Sequence, residues 1–274
     1  MDPSLSEWIN LITRWVHVFA GILWVGSTYY FTWLDGRFNE QEPAKPDSAA
    51  KNAKPQVWMV HSGGFYVVKK EKQHDAAHPL HWFRWESAIT WLSGIVLLAF
   101  VYWHGGLMVD TDVAKLSSGQ AVGIGVVAIV AGWTIYDLLA RSPLVNNESA
   151  FAAVGFLLIA GMSYALAHLL SGRAAYMHVG AVLGTIMTAN VWHHIIPAQR
   201  RMVAAVARGE TPDAALGTRA KRRSKHNTFL AVPVTAIMIS NHFPLTTYGN
   251  TYHWIVLCVL VLAGWAAARL LRRA

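Results

Sequence analysis

Residues 149–170, SAFAAVGFLLIAGMSYALAHLL, run without a single Asp, Glu, Lys or Arg. Coiled as a helix the stretch is about 33 Å long, enough to cross a hydrocarbon core of about 30 Å. Comparable runs recur along the whole chain, and we read seven spans at about 8–34, 85–104, 119–139, 149–170, 175–196, 228–243 and 253–271. With 54% hydrophobic and only 14% charged residues, the 274-residue chain reads as one all-α integral membrane domain, a bundle of about seven transmembrane helices over 1–274. The first apolar stretch has short, acidic flanks and no small-residue cleavage site, so a retained helix is expected there.

A net charge of +8 raises nucleic acid as a partner, but the distribution of charge points elsewhere. Eight Lys/Arg fall in 35–84, one in 140–148, eight in 197–227 and three near the carboxyl end, while the other connections and flanks hold only Arg14, Lys115 and Arg173. By the positive-inside rule the amino terminus lies outside and the RLLRR segment inside, so the basic excess is a topology signal and no nucleic-acid role is expected. The expected location is the bacterial inner membrane, as a multi-pass protein. The single Cys258 lies in an apolar run and has no internal partner, and the absence of any CxxCH excludes covalent c-type haem on these residues.

Two inner segments are longer than simple turns. The linker and flap, 37–84, begin with a polar stretch carrying Pro43, Pro46 and Pro55. QVWMVHSGGFYVVKK follows, with β-prone residues on either side of Ser62-Gly63-Gly64, which predicts a short cytoplasmic hairpin. It is either a flap over an inner pocket or an amphipathic surface anchor. The second long segment, 197–227, is expected to be a cytoplasmic loop.

Ionisable side chains inside spans are expensive and usually face a bundle interior, a partner or a cofactor. His17, in RWVHVFAGILWVGSTYY, and His178, in YMHVGAVLGTIMTANVW, both lie in apolar helix beside small residues: Gly21 for the first, and Gly180 with Gly184 for the second. Close helix packing explains each taken alone. As a pair at comparable depth they also suit axial ligation of a b-type haem iron, with His242 as a reserve ligand nearer the outer rim. His242 and His226 bracket one span, and sixteen residues of helix hold them roughly 24 Å apart, so they cannot share a small site.

The inner ends of the spans carry a second constellation. LHWFRWESAITWLSG places His81, Arg84 and Glu86 at the mouth of the second span, and RSKHN places His226 and Asn227 at the mouth of the sixth. Asp35 and Asp137 end the first and third spans. Singly these residues suit surface or ion-pair roles. Jointly they offer a cation for an anionic ligand, an amide for planar hydrogen bonding, and imidazoles for proton transfer. Pro233 is expected to loosen the sixth helix between its two histidines.

RWVHVFAGILWVGSTYYFTWLD, MVHSGGFYVVKK, LHWFRWESAITWLSG, YMHVGAVLGTIMTANVW and RSKHNTFLAVPVTAIMISNHFP resemble, in order, the membrane domain of the bacterial cytochrome-c-linked urate hydroxylases. A fainter similarity, over HVFAGILWVG, the helix around His178 and HNTFLAVP, is to the membrane-bound protoporphyrinogen oxidases, whose first-helix histidine binds haem b. The urate resemblance implies oxidation of urate to 5-hydroxyisourate, with electrons passed to a cytochrome c. Members of that family carry a cytochrome c domain, and these residues hold no CxxCH, so a separate one-electron acceptor is the expectation.

On this reading Arg84 and Asn227 bind the urate anion with His61 on the flap, and His81, Glu86 and His226 handle protons. His17 and His178 hold haem b, supported by His242 on the electron exit. The rival is a haem-b membrane anchor that passes on electrons from a soluble dehydrogenase. A purine transporter is a third reading, which needs no haem. Whether the chain forms a homo-oligomer stays open at this point.

Overall fold

The computed structural model describes residues 2–41, 55–71 and 78–273; most of the proline-bearing linker lies outside them. The backbone is a helical bundle with one small hairpin. Helix α1 spans Pro3–Gln41, and at about 1.5 Å per residue its 39 residues reach well beyond a membrane core. The strands β1, Gln56–His61, and β2, Gly64–Lys69, follow. Helix α2 runs over Trp85–Leu97 and continues as wider π-helical turns to His104. Then come α3, Ser118–Arg141, and α4, Glu148–Ala167. Helix α5 covers Gly172–Ala189, widens over Asn190–Ile195 and runs on as α6, Ile196–Ala207. The last two are α7, Ala214–Ile239, and α8, His253–Leu271.

Local chemistry sets several of these boundaries. Ser117 caps α3 in a reciprocal box with Gln120, and Asn147, Ser171 and Asp213 each accept a backbone N–H at the starts of α4, α5 and α7. The hairpin turns on Ser62 and Gly63, both at positive φ (49° and 76°), the combination that a two-residue primed turn requires.

Six stretches are long and apolar enough to cross a membrane: α1, α2 with its π extension, α3, α4, the continuous α5–α6 rod, and α8. The exception is α7, whose first half carries Arg219, Lys221, Arg222, Arg223 and Lys225, leaving only the part from Thr228 onward apolar. The expected inner loop at 197–227 is instead mostly helix. The α5–α6 rod continues to Ala207, turns at Gly209 (φ 74°), and α7 begins at Ala214. Its basic composition masked a helical hairpin that extends past the apolar zone. Pro197 has no N–H to give, and the widened turn just before it takes up that loss.

α5 is the hub. Its most apolar window, taken with α6, is 61% buried, against 6–28% for the five other apolar stretches, whose outer faces are left for lipid. Small residues let the neighbours close on it. A side chain at Gly132 of α3 would meet Val182, and one at Gly180 of α5 would meet Ile237 of α7 at 2.9 Å. On the far side of α7, Gly264 of α8 packs against the Pro233 ring, where a Cβ would come within 2.8 Å. The hairpin rests Val57 against Leu34 and Phe38 of α1. Asp35 then ties it down, binding Lys70 just after β2 (2.9 Å) and Lys221 of α7 (3.2 Å).

Candidate functional site

At the basic end of the bundle α3, the widened turn of α5 and α7 converge on one buried polar network. Asp137, near the end of α3, accepts from three cationic or imidazole donors: Arg223 of α7 at 2.8 Å, His194 Nε2 at 2.6 Å and Arg141 at 2.6 Å. Arg223 also donates to Asn190 Oδ1 (3.1 Å), and its guanidinium lies 5.2 Å from the Tyr136 ring centroid. Asn190 donates to the Tyr136 hydroxyl (2.8 Å) and to Asn227 Oδ1 (2.9 Å), and Asn227 donates to the Met187 carbonyl (2.9 Å). The Tyr136 hydroxyl meets His226 Nδ1 at 2.8 Å, while Phe151 of α4 stacks on that imidazole at 4.7 Å.

The Tyr136 oxygen accepts from the Asn190 amide, and its hydroxyl pairs with His226 Nδ1, the imidazole tautomer setting which of the two donates. His226 precedes the apolar run 228–243. Burial, reinforced by Arg223, Arg222 and Lys225, pushes its pKa down to about 4, so the ring is neutral near pH 7. The π-helical turn of α5 is what brings Asn190 and His194 to the same side, because i→i+5 bonding widens the helix there.

A cavity of about 660 Å³ opens beside this network, between the α3–α4 turn, the α5–α6 rod and α7. Its lining includes Arg141, Arg201, Arg219, Arg222 and Arg223 with His193 and His194. Asp137 behind it neutralises one guanidinium at most, so the space is strongly electropositive. Planar guanidinium forks facing a concave space suit a planar or oxygen-rich anion.

The inner constellation expected from sequence is divided by the structure. Asn227 is there, but 4% exposed, with its amide engaged on both sides by Asn190 and the Met187 carbonyl. It is held inside the network and does not line the cavity. His226 is present with Nδ1 engaged. The trio at the start of α2 lies on the other side of the α5 rod: Arg84 sits over Trp85 and Trp192 (5.3 and 6.0 Å), and Trp192 donates to Ser87. His81 is exposed, edge-on to Phe83 at 4.5 Å, and Glu86 is half-buried at the first turn. His61 stands exposed at the hairpin tip. None of His61, His81, Arg84 and Glu86 lines the cavity.

Tyr136, Asn190, His194 and Arg223 went unassigned in the sequence reading. The available signals were a Tyr-Asp pair closing an apolar span and an arginine spaced i, i+3 and i, i+4 from His226 and Asn227, which puts all three on one helix face.

The two histidines expected to hold haem are arranged differently from each other. His17 meets the Thr90 carbonyl through Nδ1 (2.9 Å), and its ring packs on Gly94, where a Cβ would lie 3.0 Å away. That leaves Nε2 for a ligand, in the arrangement common to metal-bound imidazoles. His178 is fully buried; Nδ1 meets the Ala174 carbonyl (2.8 Å) and Nε2 accepts from Trp103 (3.3 Å). Its ring also lies flush on Gly125 of α3, where any Cβ would collide with Nε2. Neither a nitrogen nor space for a macrocycle remains at His178.

The pair is also offset in depth. Gly94, under His17, and Trp103, bonded to His178, are nine residues apart on α2, a rise of roughly 13 Å. Two axial ligands of one iron need to face each other across it, so these residues do not fit a shared haem. His242 is exposed at the opposite end of the bundle, next to Asn241, which binds Arg173 and Tyr102. Among the described residues no group of three or more His, Cys, Asp or Glu is arranged to hold a metal ion.

The family model described as urate oxidase N-terminal matches residues 3–272, which takes in every helix and the hairpin. No curated protein and no solved structure matches the chain.

Proposed function

The chain belongs to the urate oxidase N-terminal family, and on that premise we propose that it oxidises urate at the basic end of a membrane bundle, in the bacterial inner membrane. The observation that carries this reading is the arginine-lined cavity beside the Arg223–Asp137–His194 cluster. Urate is a planar monoanion near neutral pH with N–H donors and carbonyl acceptors around its rim. Guanidinium groups of Arg219 and Arg222 supply charge and paired donors to such a rim, and Arg223, locked by Asp137 and Asn190, supplies a fixed one.

For the monoanion the balanced reaction is urate plus water giving 5-hydroxyisourate, one proton and two electrons. The electrons leave one at a time to a carrier of the cytochrome class. The residues of this chain bind the anion, exclude bulk water behind Asp137 and Tyr136, and accept protons. No step is assigned to a haem, because His178 has no free nitrogen. The same observation weakens the reading as a haem-b anchor for a soluble dehydrogenase, which rested on that ligand pair.

The test is urate consumption by the purified protein in lipid nanodiscs with a soluble cytochrome c as acceptor, following loss of urate and reduction of the cytochrome together. Stoichiometric loss of both supports an oxidoreductase. Urate binding without consumption favours a purine transporter, and absence of both sinks the urate reading.

A further inference from the structure

We infer that His194 is the group that takes the proton from the bound substrate, and that Asp137 is its positioning residue. The inference rests on the proposed urate reading and assigns residues within the same site.

Asp137 Oδ1 lies 2.6 Å from His194 Nε2. A carboxylate only accepts, so Nε2 carries the hydrogen and the lone pair of the neutral ring is on Nδ1. His194 lines the arginine cavity, and Nδ1 takes no hydrogen bond among the described residues. The imidazole is thus fixed in one tautomer with its basic nitrogen available to whatever occupies the cavity. The same division of labour, a buried carboxylate orienting a histidine that acts as base, recurs on unrelated folds.

A purely structural account leaves the histidine unexplained. Asp137 already has two guanidinium partners, Arg223 at 2.8 Å and Arg141 at 2.6 Å, which more than balance its charge. A third donor adds nothing to neutralisation. It does place a ring between a fixed carboxylate and an electropositive cavity, which holds an anionic substrate and favours loss of its ring N–H proton. Other imidazoles near the basic end are less suited. His226 has its Nδ1 bonded to Tyr136 and does not line the cavity, His81 is on the far side of the α5 rod, and His193 is exposed with its ring 5.7 Å from that of Trp133.

In the step itself an N–H bond of urate breaks and an N–H bond forms at His194 Nδ1. The imidazolium is stabilised by Asp137 through Nε2. The two electrons freed from the purine ring go one at a time to the one-electron acceptor, water adds across the oxidised ring with its hydroxyl on carbon and its other hydrogen on a ring nitrogen, and His194 returns the one released proton to solvent. Groups facing His194 from the packed elements are Asp137 and Arg141 of α3, Arg223, Arg222 and Arg219 of α7, Arg201 of α6, and the neighbouring His193. The arginines stay charged throughout, and comparison with the His194 variants separates the part of the pH profile that belongs to His194 from that of its neighbours.

The experiment compares wild type, His194→Gln, His194→Ala and Asp137→Asn in nanodiscs, with urate and soluble cytochrome c. His194→Gln is expected to lower kcat about 10²–10⁴-fold while equilibrium urate binding stays near the wild-type value. His194→Ala is expected to regain part of its turnover with added imidazole, a response that a structural histidine does not give. Asp137→Asn is expected to flatten the acid limb of the pH–rate profile, because its amide can present a donor to Nε2 and stabilise the wrong tautomer. If Asp137→Asn fails to fold, His194→Gln, which keeps both arginines on the carboxylate, carries the test. An active wild type with an equally active His194→Gln overturns this assignment alone. A wild type inert toward urate overturns the urate reading and this assignment with it.

Discussion

Arg223 on α7 reaches Asp137 on α3 across the basic end of the bundle at 2.8 Å, with both side chains less than a tenth exposed. Two formal charges in so dry a place persist because each is fully engaged: the guanidinium also donates to Asn190, and the carboxylate also accepts from Arg141 and His194. Such a pair contributes little net stability over an apolar replacement of both partners, but removing one of them leaves an uncompensated buried charge. Arg223→Met is therefore expected to destabilise the protein by about 3–5 kcal/mol, read as a lowered unfolding midpoint in detergent. Asp137→Leu with Arg223→Met is expected to recover much of that loss in stability, while urate oxidation stays abolished. A single variant as stable as wild type would show that the pair is not desolvated.

The outer arginines of the cavity are expected to act differently from the buried one. Arg219→Gln and Arg222→Gln remove charge that attracts an anion without touching the Asp137 cluster. The expected result is a KM several-fold higher at unchanged kcat, the signature of lost uniform binding. Added salt should raise the wild-type KM and have less effect on the double variant, since screening acts first on charges less buried than Arg223. Steady-state kinetics at two ionic strengths decide it, and a loss confined to kcat would contradict the placement.

Gly125 touches the His178 ring so closely that no side chain fits between α3 and α5. Gly125→Ala is expected to push the helices apart and lower stability by about 1–3 kcal/mol, as overpacking commonly does. The buried ring also makes a statement about haem. His178→Gln should leave the Soret absorbance of the purified protein as it is in wild type, whereas ligation by His178 would make the same substitution bleach it. The measurement is one absorbance spectrum of each, normalised to protein.

His226 gives a pH dependence of known sign. Its folded-state pKa of about 4 lies below the ordinary 6.5, so between those values the unfolded chain binds a proton that the folded chain refuses. This group's neutral state carries no penalty above pH 6.5, and its contribution to stability falls as pH drops from 6.5 through 4. His226→Asn is expected to make thermal stability less steeply dependent on pH across that window. Parallel slopes for the variant and the wild type would show that the ring is not held neutral by the fold.

The apolar runs and the alternation of basic connections were enough to specify a helical membrane bundle with a small hairpin at Ser62-Gly63. Each depends on composition within a few adjacent residues: a run must be about twenty residues long to span, and a two-residue primed turn needs positive φ. The matching stretches also pointed to the urate family, whose model covers residues 3–272.

Helix partners and side-chain commitments are not local properties. His194 and Arg223 lie 57 and 86 residues beyond Asp137 in the chain, and the fold alone brings both to its carboxylate. The widening of α5 before Pro197 turns Asn190 and His194 toward α3 and α7, and sends Trp192 to α2, splitting a constellation that sequence position had grouped. Likewise His17 and His178 look equivalent as histidines in apolar helix, yet one keeps a free nitrogen and the other is sealed by Trp103 and Gly125. Sequence determines which side chains enter the membrane; only packing decides which of their hydrogen-bonding positions are left for a ligand, because every buried donor and acceptor must find a partner among whatever neighbours the tertiary fold supplies.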